Sequence, residues 1–101
     1  MKYRKKPVII DAMQLFQCDF DFVYKNEVQK DSTIHGFYHH VMRAKIWLIR
    51  SRNGMVVASI DTLEGRHRFT DGDWLIRGVK GEYYFCKPDI FEETYEPVSN
   101  L

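Results

Sequence analysis

Five basic and aromatic residues on two neighbouring segments form the pattern with the clearest potential for binding chemistry. Arg77 ends the segment WLIR, Lys80 lies in the following turn, and EYYFCK then carries Tyr83, Tyr84 and Lys87. On a small antiparallel sheet, tyrosine rings can stack on a base while lysine and arginine hold a phosphate. These five are our candidate binding residues. The more ordinary alternative is that the tyrosines pack at the sheet edge while their hydroxyls and the lysines stay in water.

Four carboxylates, those of Asp61, Glu64, Asp71 and Asp73, lie close to glycines. Paired carboxylates can act as general acid and base in a hydrolase, and Asp61, Glu64 and Asp73 are the candidates for that role. Asp and Gly are also the residues that tight turns require, so turn formation explains the pattern without an active site. We therefore assign no catalytic residue.

Metal and thiol chemistry have scattered candidates. The residues that could bind zinc are Cys18, Cys86, His35, His39, His40 and His67. No C-x-x-C pair occurs, and the adjacent histidines at 39 and 40 would point in opposite directions in a strand, so we predict no metal site and no cofactor. Cys86 precedes a predicted helix, where a thiolate can be favoured, but a half-buried strand cysteine usually behaves as a small hydrophobe. Neither GxGxxG nor GxxxxGK[ST] is present.

Composition limits the class of protein. The chain has 101 residues, 15 basic and 14 acidic, for a net charge of +1. This length predicts a single domain over residues 1–101, and the balanced charge does not indicate a nucleic-acid or nucleotide partner, although it leaves one open. The apolar runs are too short for a membrane span, and no secretory signal is recognisable. We expect a cytoplasmic protein with two free thiols.

The first half of the chain predicts a strand, a helix and a hairpin. Residues 7–16 carry apolar side chains on both faces, which indicates a strand covered on both sides. Residues 19–29 follow helical spacing, with Asp19 as the N-cap. Residues 33–43 fit either a short strand or an ordered loop, and no role is assigned to His39 or His40. Residues 44–59 predict a central hairpin with a type I′ turn at Asn53-Gly54.

The second half predicts short strands punctuated by glycine and aspartate. Strands are expected at 66–70, 74–77 and 82–87, with reversals at 71–73 and 78–81. Residues 88–95 predict a short helix, in which Asp89 and Glu92 have capping-box spacing and Phe91 stacks on Tyr95. Together these elements predict an α+β fold. Its core is a strongly bent antiparallel sheet or open barrel of five to six strands, with the 19–29 helix over one opening. The first strand pairs with the hairpin or with the 82–87 strand.

Several segments carry a family resemblance. MKYRKKPVIIDAMQL, DTLEG, GDWLIRGVKGEYY and CKPDIFEETYEPV together resemble a family of small uncharacterised bacteriophage and prophage proteins, over about residues 1–16 and 47–98. The family has no assigned activity. Phe85 is a departure, because many relatives carry Pro at this position. The resemblance implies a phage or prophage gene product that works in the cytoplasm of a bacterial host.

Three functional hypotheses follow. The first is a non-enzymatic accessory protein that binds a host or phage macromolecule through the sheet and its turns. The second is a small-nucleotide binder that acts as a sponge for host signalling molecules, with Arg77, Lys80 and Lys87 on phosphates and Tyr83 or Tyr84 on a base. The third is a small hydrolase that uses the turn carboxylates. Exposed sheet edges also allow a homodimer.

Overall fold

The structure, a computed structural model, describes residues 1–4, 6–27 and 34–98. Within these residues, seven strands form two antiparallel sheets, β2-β3-β4-β5 and β1-β6-β7. The elements are β1 (Asp11–Gln14), α1 (Gln17–Glu27), β2 (Ile34–His39), β3 (Ala44–Arg50), β4 (Val56–Thr62), β5 (Gly65–Arg68), β6 (Trp74–Arg77), β7 (Tyr83–Cys86) and α2 (Pro88–Thr94). The antiparallel α+β class is confirmed. The prediction of one bent sheet or barrel with five to six strands is wrong.

The turn at residues 70–73 explains why there are two sheets. β5 pairs with β4, whereas β6, which follows the turn, pairs with β1 and β7. Asp73 is almost fully buried, and its carboxylate accepts hydrogen bonds from the Thr70 amide and the Thr70 hydroxyl, each at 2.9 Å. These bonds hold the chain in a tight reversal as it leaves one sheet for the other. The turn predicted at 71–73 is present, but it links two sheets.

The predicted hairpin over residues 44–59 is confirmed as β3 and β4, and β3 is central in its sheet. Its turn differs from the predicted type I′. Gly54 has φ +86°, but Asn53 does not adopt a positive φ. The Gly54 amide donates to the Ser51 carbonyl at 2.9 Å, and the Ser51 amide donates to the Met55 carbonyl at 2.8 Å. This is a three-residue loop in which a type I turn is followed by a left-handed glycine.

The first strand is shorter than predicted and has a different partner. Only Asp11–Gln14 of the predicted residues 7–16 form β1, and they pair with β6 in the register Asp11↔Arg77 to Gln14↔Trp74. The predicted pairing with the hairpin or with β7 is wrong. The prediction that both faces of this strand are covered is also wrong, because Val8 and Ile9 are 47% and 74% exposed. The Leu15 amide donates to the Asp73 carbonyl at 2.9 Å, which places β1 beside β6.

Both predicted helices are present, α1 with an earlier N-terminus than predicted and α2 with a different N-cap. α1 begins at Gln17, whose amide donates to Asp71 Oδ1 at 2.9 Å, so Asp19 lies in the first turn and is not the N-cap. Residues 28 and 29 of the predicted helix lie outside the described residues. α2 begins at Pro88 and lacks the predicted capping box, because Lys87 occupies the N-cap without a side-chain hydrogen bond. Neither helix is long and apolar enough to span a membrane.

The core lies between the two sheets and beneath α1. Ile46, Leu48, Ile60 and Leu75 are fully buried, and Phe20 of α1 packs edge-on against Phe69 with ring centroids 4.8 Å apart. α2 covers the opposite face of the three-stranded sheet, where Phe91 stacks on Trp74 at 3.9 Å. Phe91 also contacts Tyr95 at 5.0 Å, as predicted. One face of the four-stranded sheet is thus left outside the core.

Candidate functional site

The uncovered face of the four-stranded sheet, hereafter the outer face, carries an unusual set of side chains. Strand alternation and register place eleven residues on it: Ile34, Gly36, Tyr38, Lys45, Trp47, Ile49, Val57, Ser59, Asp61, Arg66 and Arg68. The inner face of the same strands packs into the core, because Ile46, Leu48, Ala58 and Ile60 are buried. For residues 33–43 the sequence fits either a short strand or an ordered loop, and Ile34–His39 form a strand, β2, at one edge of this sheet. Residue 33 lies outside the described residues.

The outer face divides into three cross-strand rows. The first row is aliphatic, because Ile34 pairs with Ile49 and Ile49 pairs with Val57. The second row contains Gly36, Trp47, Ser59 and Arg68, and the third contains Tyr38, Lys45, Asp61 and Arg66. Tyr38 is 49% exposed and Ile34 is 50% exposed. An apolar strip therefore borders an aromatic and basic strip on one open surface.

Trp47 is the centre of this surface. Its indole N–H donates to Asp61 Oδ2 at 3.0 Å, and the Arg66 Nε–H donates to Asp61 Oδ1 at 3.0 Å. Lys45 Nζ lies 4.4 Å from the centroid of the Trp47 ring, and the Arg66 guanidinium carbon lies 5.1 Å from it. Both distances are within the range of cation–π attraction. One carboxylate and two cations thus fix the orientation of the indole.

Gly36 provides the space that this arrangement needs. A Cβ atom at this position would lie 2.7 Å from Lys45 Cε and 3.4 Å from a carbon of the Trp47 ring. The two side chains therefore lie over the Gly36 backbone, and the indole extends from β2 to Asp61 on β4.

The hydrogen bond from Trp47, followed by that from Arg66, lowers the pKa of the Asp61 carboxyl. Asp61 consequently stays ionised at neutral pH and keeps both donors.

The five predicted binding residues do not form one surface. Arg77 and Tyr83 are cross-strand partners on the core-facing side of the three-stranded sheet. Tyr84 lies on the opposite side, where its hydroxyl meets that of Tyr95 at 3.2 Å. Burial and this contact raise the pKa of Tyr84. Lys87 follows β7, and the Lys80 amide donates to Glu82 Oε2 in the turn.

Four of these five side chains contact other parts of the chain. Arg77 forms an ion pair with Asp11 at 2.8 Å, and the Tyr83 hydroxyl lies 2.7 Å from the carbonyl oxygens of Met42 and Arg43. Lys87 Nζ donates to Thr70 Oγ1 at 2.5 Å and lies 3.8 Å from Asp73 Oδ1. Arg77 and Tyr83 still line a cleft of about 540 Å³, together with Gly78, Gly81 and Asp11. The structure brings these two predicted residues together.

The turn carboxylates hold structural positions. Asp61 orients Trp47, Asp71 accepts the first amide of α1, and Asp73 closes the turn between the sheets. Glu64 lies in the exposed turn between β4 and β5. Over residues 1–4, 6–27 and 34–98, no three His, Cys, Asp or Glu side chains are close enough to hold a metal ion. The turn explanation therefore fits the positions of these carboxylates.

The candidate zinc and thiol residues lie on separate elements, with Cys18 in α1, His35 and His39 in β2, His40 in the turn after it, His67 in β5 and Cys86 in β7. His35 and His39 have the i, i+4 spacing that brings ligands together on a helix, but in β2 four residues span about 13 Å. His39 Nδ1 accepts a hydrogen bond from the Met42 amide at 3.1 Å, and burial lowers its pKa. Burial raises the pKa of the Cys86 thiol, with Asp73 and Asp89 adding to the effect. The thiol is therefore held in its less reactive, protonated form.

A further cleft was not predicted from the sequence. It has a volume of about 630 Å³ and lies between α1 and the β3–β4 turn, where Gln17, Asp21, Lys25 and Arg50 line it. The Gln17 side chain donates to the Val56 carbonyl at 2.7 Å across its floor. Its charged residues come from segments 25 or more positions apart, so no local pattern indicates the cleft.

Comparison of the chain with protein-family models, curated proteins and solved structures found no match.

Proposed function

We propose that this protein is a non-enzymatic binding module that holds an anionic macromolecule on its outer face. The observation that carries the proposal is the Trp47 indole, which lies on an open sheet face between Lys45 and Arg66 and is oriented by Asp61. Tryptophan, tyrosine and arginine are the residue types that contribute most binding energy at interfaces. Here all three types occur on one face and outside the core.

The charge of the outer face supports an anionic partner. Lys45, Arg66 and Arg68 contribute three positive charges and Asp61 contributes one negative charge, so the face carries +2. The whole chain carries +1, so the remainder carries −1. Among the described residues, positive charge is therefore concentrated on a sheet face that lies outside the core. Such a field speeds the encounter with a negatively charged partner and makes the association sensitive to salt.

The resemblance to phage and prophage proteins supports a partner of host or phage origin in a bacterial cytoplasm. A binding role also agrees with the positions of the turn carboxylates, which are used to hold the Trp47 indole, the start of α1 and the turn between the sheets.

The test is affinity capture from a bacterial lysate with three proteins. These are the wild type, an Arg66→Gln/Arg68→Gln variant, and an Arg52→Gln/Lys25→Gln control that removes two exposed charges elsewhere. We expect the wild type and the control to retain the same stoichiometric partner, and the outer-face variant to lose at least 90% of it. Nuclease treatment identifies a nucleic-acid partner. Equal capture by all three proteins, or no partner at all, would contradict the proposal.

A small-nucleotide binder is the second candidate, and the cleft beside Arg77 is the observation that favours it. Arg77 and Tyr83 line this cleft, and Lys80 lies in the turn that borders it. An arginine, a tyrosine ring and a glycine-rich turn can hold a phosphate and a base. Tyr84 and Lys87 do not line this cleft, so the nucleotide site would use three of the five predicted residues.

A thermal-shift screen with nucleotides tests this second candidate. A nucleotide at one hundred times its dissociation constant stabilises a protein by about 2.7 kcal/mol, which for a domain of this size raises the Tm by about 10 °C or more. Arg77→Gln should remove that rise, whereas Lys87→Gln should keep it. The absence of a shift with every nucleotide would discard this candidate without affecting the outer-face proposal.

A further inference from the structure

β1 is an edge strand whose sequence continues upstream as an exposed apolar segment. Within residues 1–4, 6–27 and 34–98, β1 pairs with β6 alone, because the strand order is β1-β6-β7. The preceding residues Val8 and Ile9 are β-branched and 47% and 74% exposed, but they belong to no strand. The molecule is also elongated, with a radius of gyration of 15.5 Å where about 13 Å is typical of this length. An unpaired edge with an apolar extension is a site for strand addition.

The hydrogen bonds of Leu15 show which backbone groups of β1 point outward. The Leu15 amide donates to the Asp73 carbonyl at 2.9 Å, and the Leu15 carbonyl accepts from the Gly72 amide at 3.1 Å. Leu15 thus directs both groups towards the β6 side. Because the direction alternates along a strand, Asp11 and Met13 also face β6, while Ala12 and Gln14 face away from it. Continued upstream, the alternation makes Ile10 and Val8 face outward too.

We propose that a second copy of this chain occupies this edge, so that residues 8–12 of two copies pair in antiparallel orientation. Antiparallel pairing of identical edges follows a two-fold axis and satisfies the outward groups of both copies at once. The two three-stranded sheets then form one six-stranded sheet. This contact does not depend on the outer face, which belongs to the other sheet.

The side chains favour a register centred on Ile10. With Ile10 opposite Ile10, Val8 lies opposite Ala12, and these apolar residues from both copies form a continuous row on one face. A shift that centres the pairing on Asp11 would place two carboxylates opposite each other, which destabilises a strand pair. Pro7 is compatible with this register because the amide that it lacks would point away from the second copy.

Sedimentation equilibrium of the full chain tests the proposal. The wild type should sediment as a dimer with twice the 12.1 kDa chain mass. Ile10→Pro removes an outward amide without removing any hydrogen bond of the monomer, so the dimer dissociation constant should rise at least tenfold. Ile9→Pro is the matched control, because the Ile9 amide points away from the second copy, and it should shift the constant no more than threefold. Circular dichroism verifies that both variants fold.

Hydrogen exchange provides a second measurement that does not depend on the variants. In the dimer, the amides of Ile10 and Ala12 should exchange at least tenfold more slowly than in the dilute monomer, whereas the Ile9 amide should not change. A wild-type monomer at all concentrations would overturn the proposal. A dimer that Ile10→Pro leaves intact would also overturn the proposal, as would a dimer in which the Ile10 and Ala12 amides exchange freely. Either result would place the interface elsewhere.

Discussion

Removal of the Asp73 carboxylate should destabilise the fold more than any other change of a turn residue. Asp73 is 3% exposed, and its two oxygens accept hydrogen bonds from the amide and the hydroxyl of Thr70, both at 2.9 Å. A hydrogen bond to a charged group contributes about 1.5–3 kcal/mol. Asp73→Ala removes both bonds, but the exposed Thr70 can donate to water in their place, so we expect a loss of about 2–4 kcal/mol in the free energy of unfolding. The Lys87 contact at 3.8 Å adds little, because the lysine is half exposed.

Urea denaturation at one fixed protein concentration, followed by circular dichroism, measures this loss. With a slope of about 1.5 kcal/mol per molar urea, a loss of 3 kcal/mol lowers the midpoint by roughly 2 M. Asp71→Ala is the matched control in the same turn, because the exposed Asp71 caps only the first amide of α1 and should cost about 1 kcal/mol. If Asp73→Ala changed the midpoint no more than Asp71→Ala, the turn would not hold the two sheets as described.

Three further predictions concern Tyr83, Asp61 and His39. Tyr83→Phe removes the hydroxyl that bonds to the 42–43 carbonyls and should lower the free energy of unfolding by about 1 kcal/mol in the same urea assay, while Tyr38→Phe should have no effect. The pKa of Asp61 is lowered in the fold, so its contribution to stability is fully present above pH about 3.9 and is lost as pH falls through the folded-state pKa. The NMR signal of the Trp47 indole proton should therefore shift only below pH about 3.9. A shift of that signal between pH 5 and 6 would contradict the hydrogen bond. The pKa of His39 is also lowered, and its imidazole must be neutral to accept the hydrogen bond from the Met42 amide. The free energy of unfolding should therefore decline as pH falls below about 6.5. An NMR titration midpoint of His39 above about 6.5 would refute this.

The parts of the fold that the sequence predicted correctly depend on short-range turn chemistry. The Asn53-Gly54 pair marks the β3–β4 hairpin, and the glycines at 78 and 81 mark the β6–β7 turn. In each hairpin the strands that pair are also neighbours in the chain, so a local signal is sufficient. The turn type was missed because Asn53 bonds through its side chain to the Met55 amide and keeps a negative φ.

The division into two sheets could not be predicted locally. β1 pairs with β6, whose residues lie 60 to 66 positions from their partners in β1, and no turn signal specifies a pairing over that distance. The two reversals at 63–64 and 70–73 look alike in sequence, since both contain Asp, Glu or Gly. Only the burial of Asp73, together with the bonds between Leu15 and the 72–73 backbone, distinguishes a change of sheet from a hairpin.

The candidate site was missed for a related reason. The apolar residues at 46–49 predict a central hairpin, which is confirmed, but they do not indicate which face of the sheet lies outside the core. Trp47 and Ile49 lie on the outer face and are only partly buried. The residues that contact Trp47 come from three other strands, namely Gly36 of β2, Asp61 of β4 and Arg66 of β5. By contrast, the predicted aromatic and basic residues of β6 and β7 are contacted by Asp11, Met42 and Tyr95, which no spacing within residues 74–87 reveals.

Site-specific photo-crosslinking tests the binding role of the outer face most directly. A photoreactive phenylalanine analogue at Tyr38 samples the outer face, and the same group at the exposed Val79 samples the turn of the other sheet. In a bacterial lysate, position 38 should give a discrete adduct that Arg66→Gln/Arg68→Gln removes, and position 79 should give none. An adduct at position 79 alone, or one at position 38 that persists in the double variant, would contradict the account.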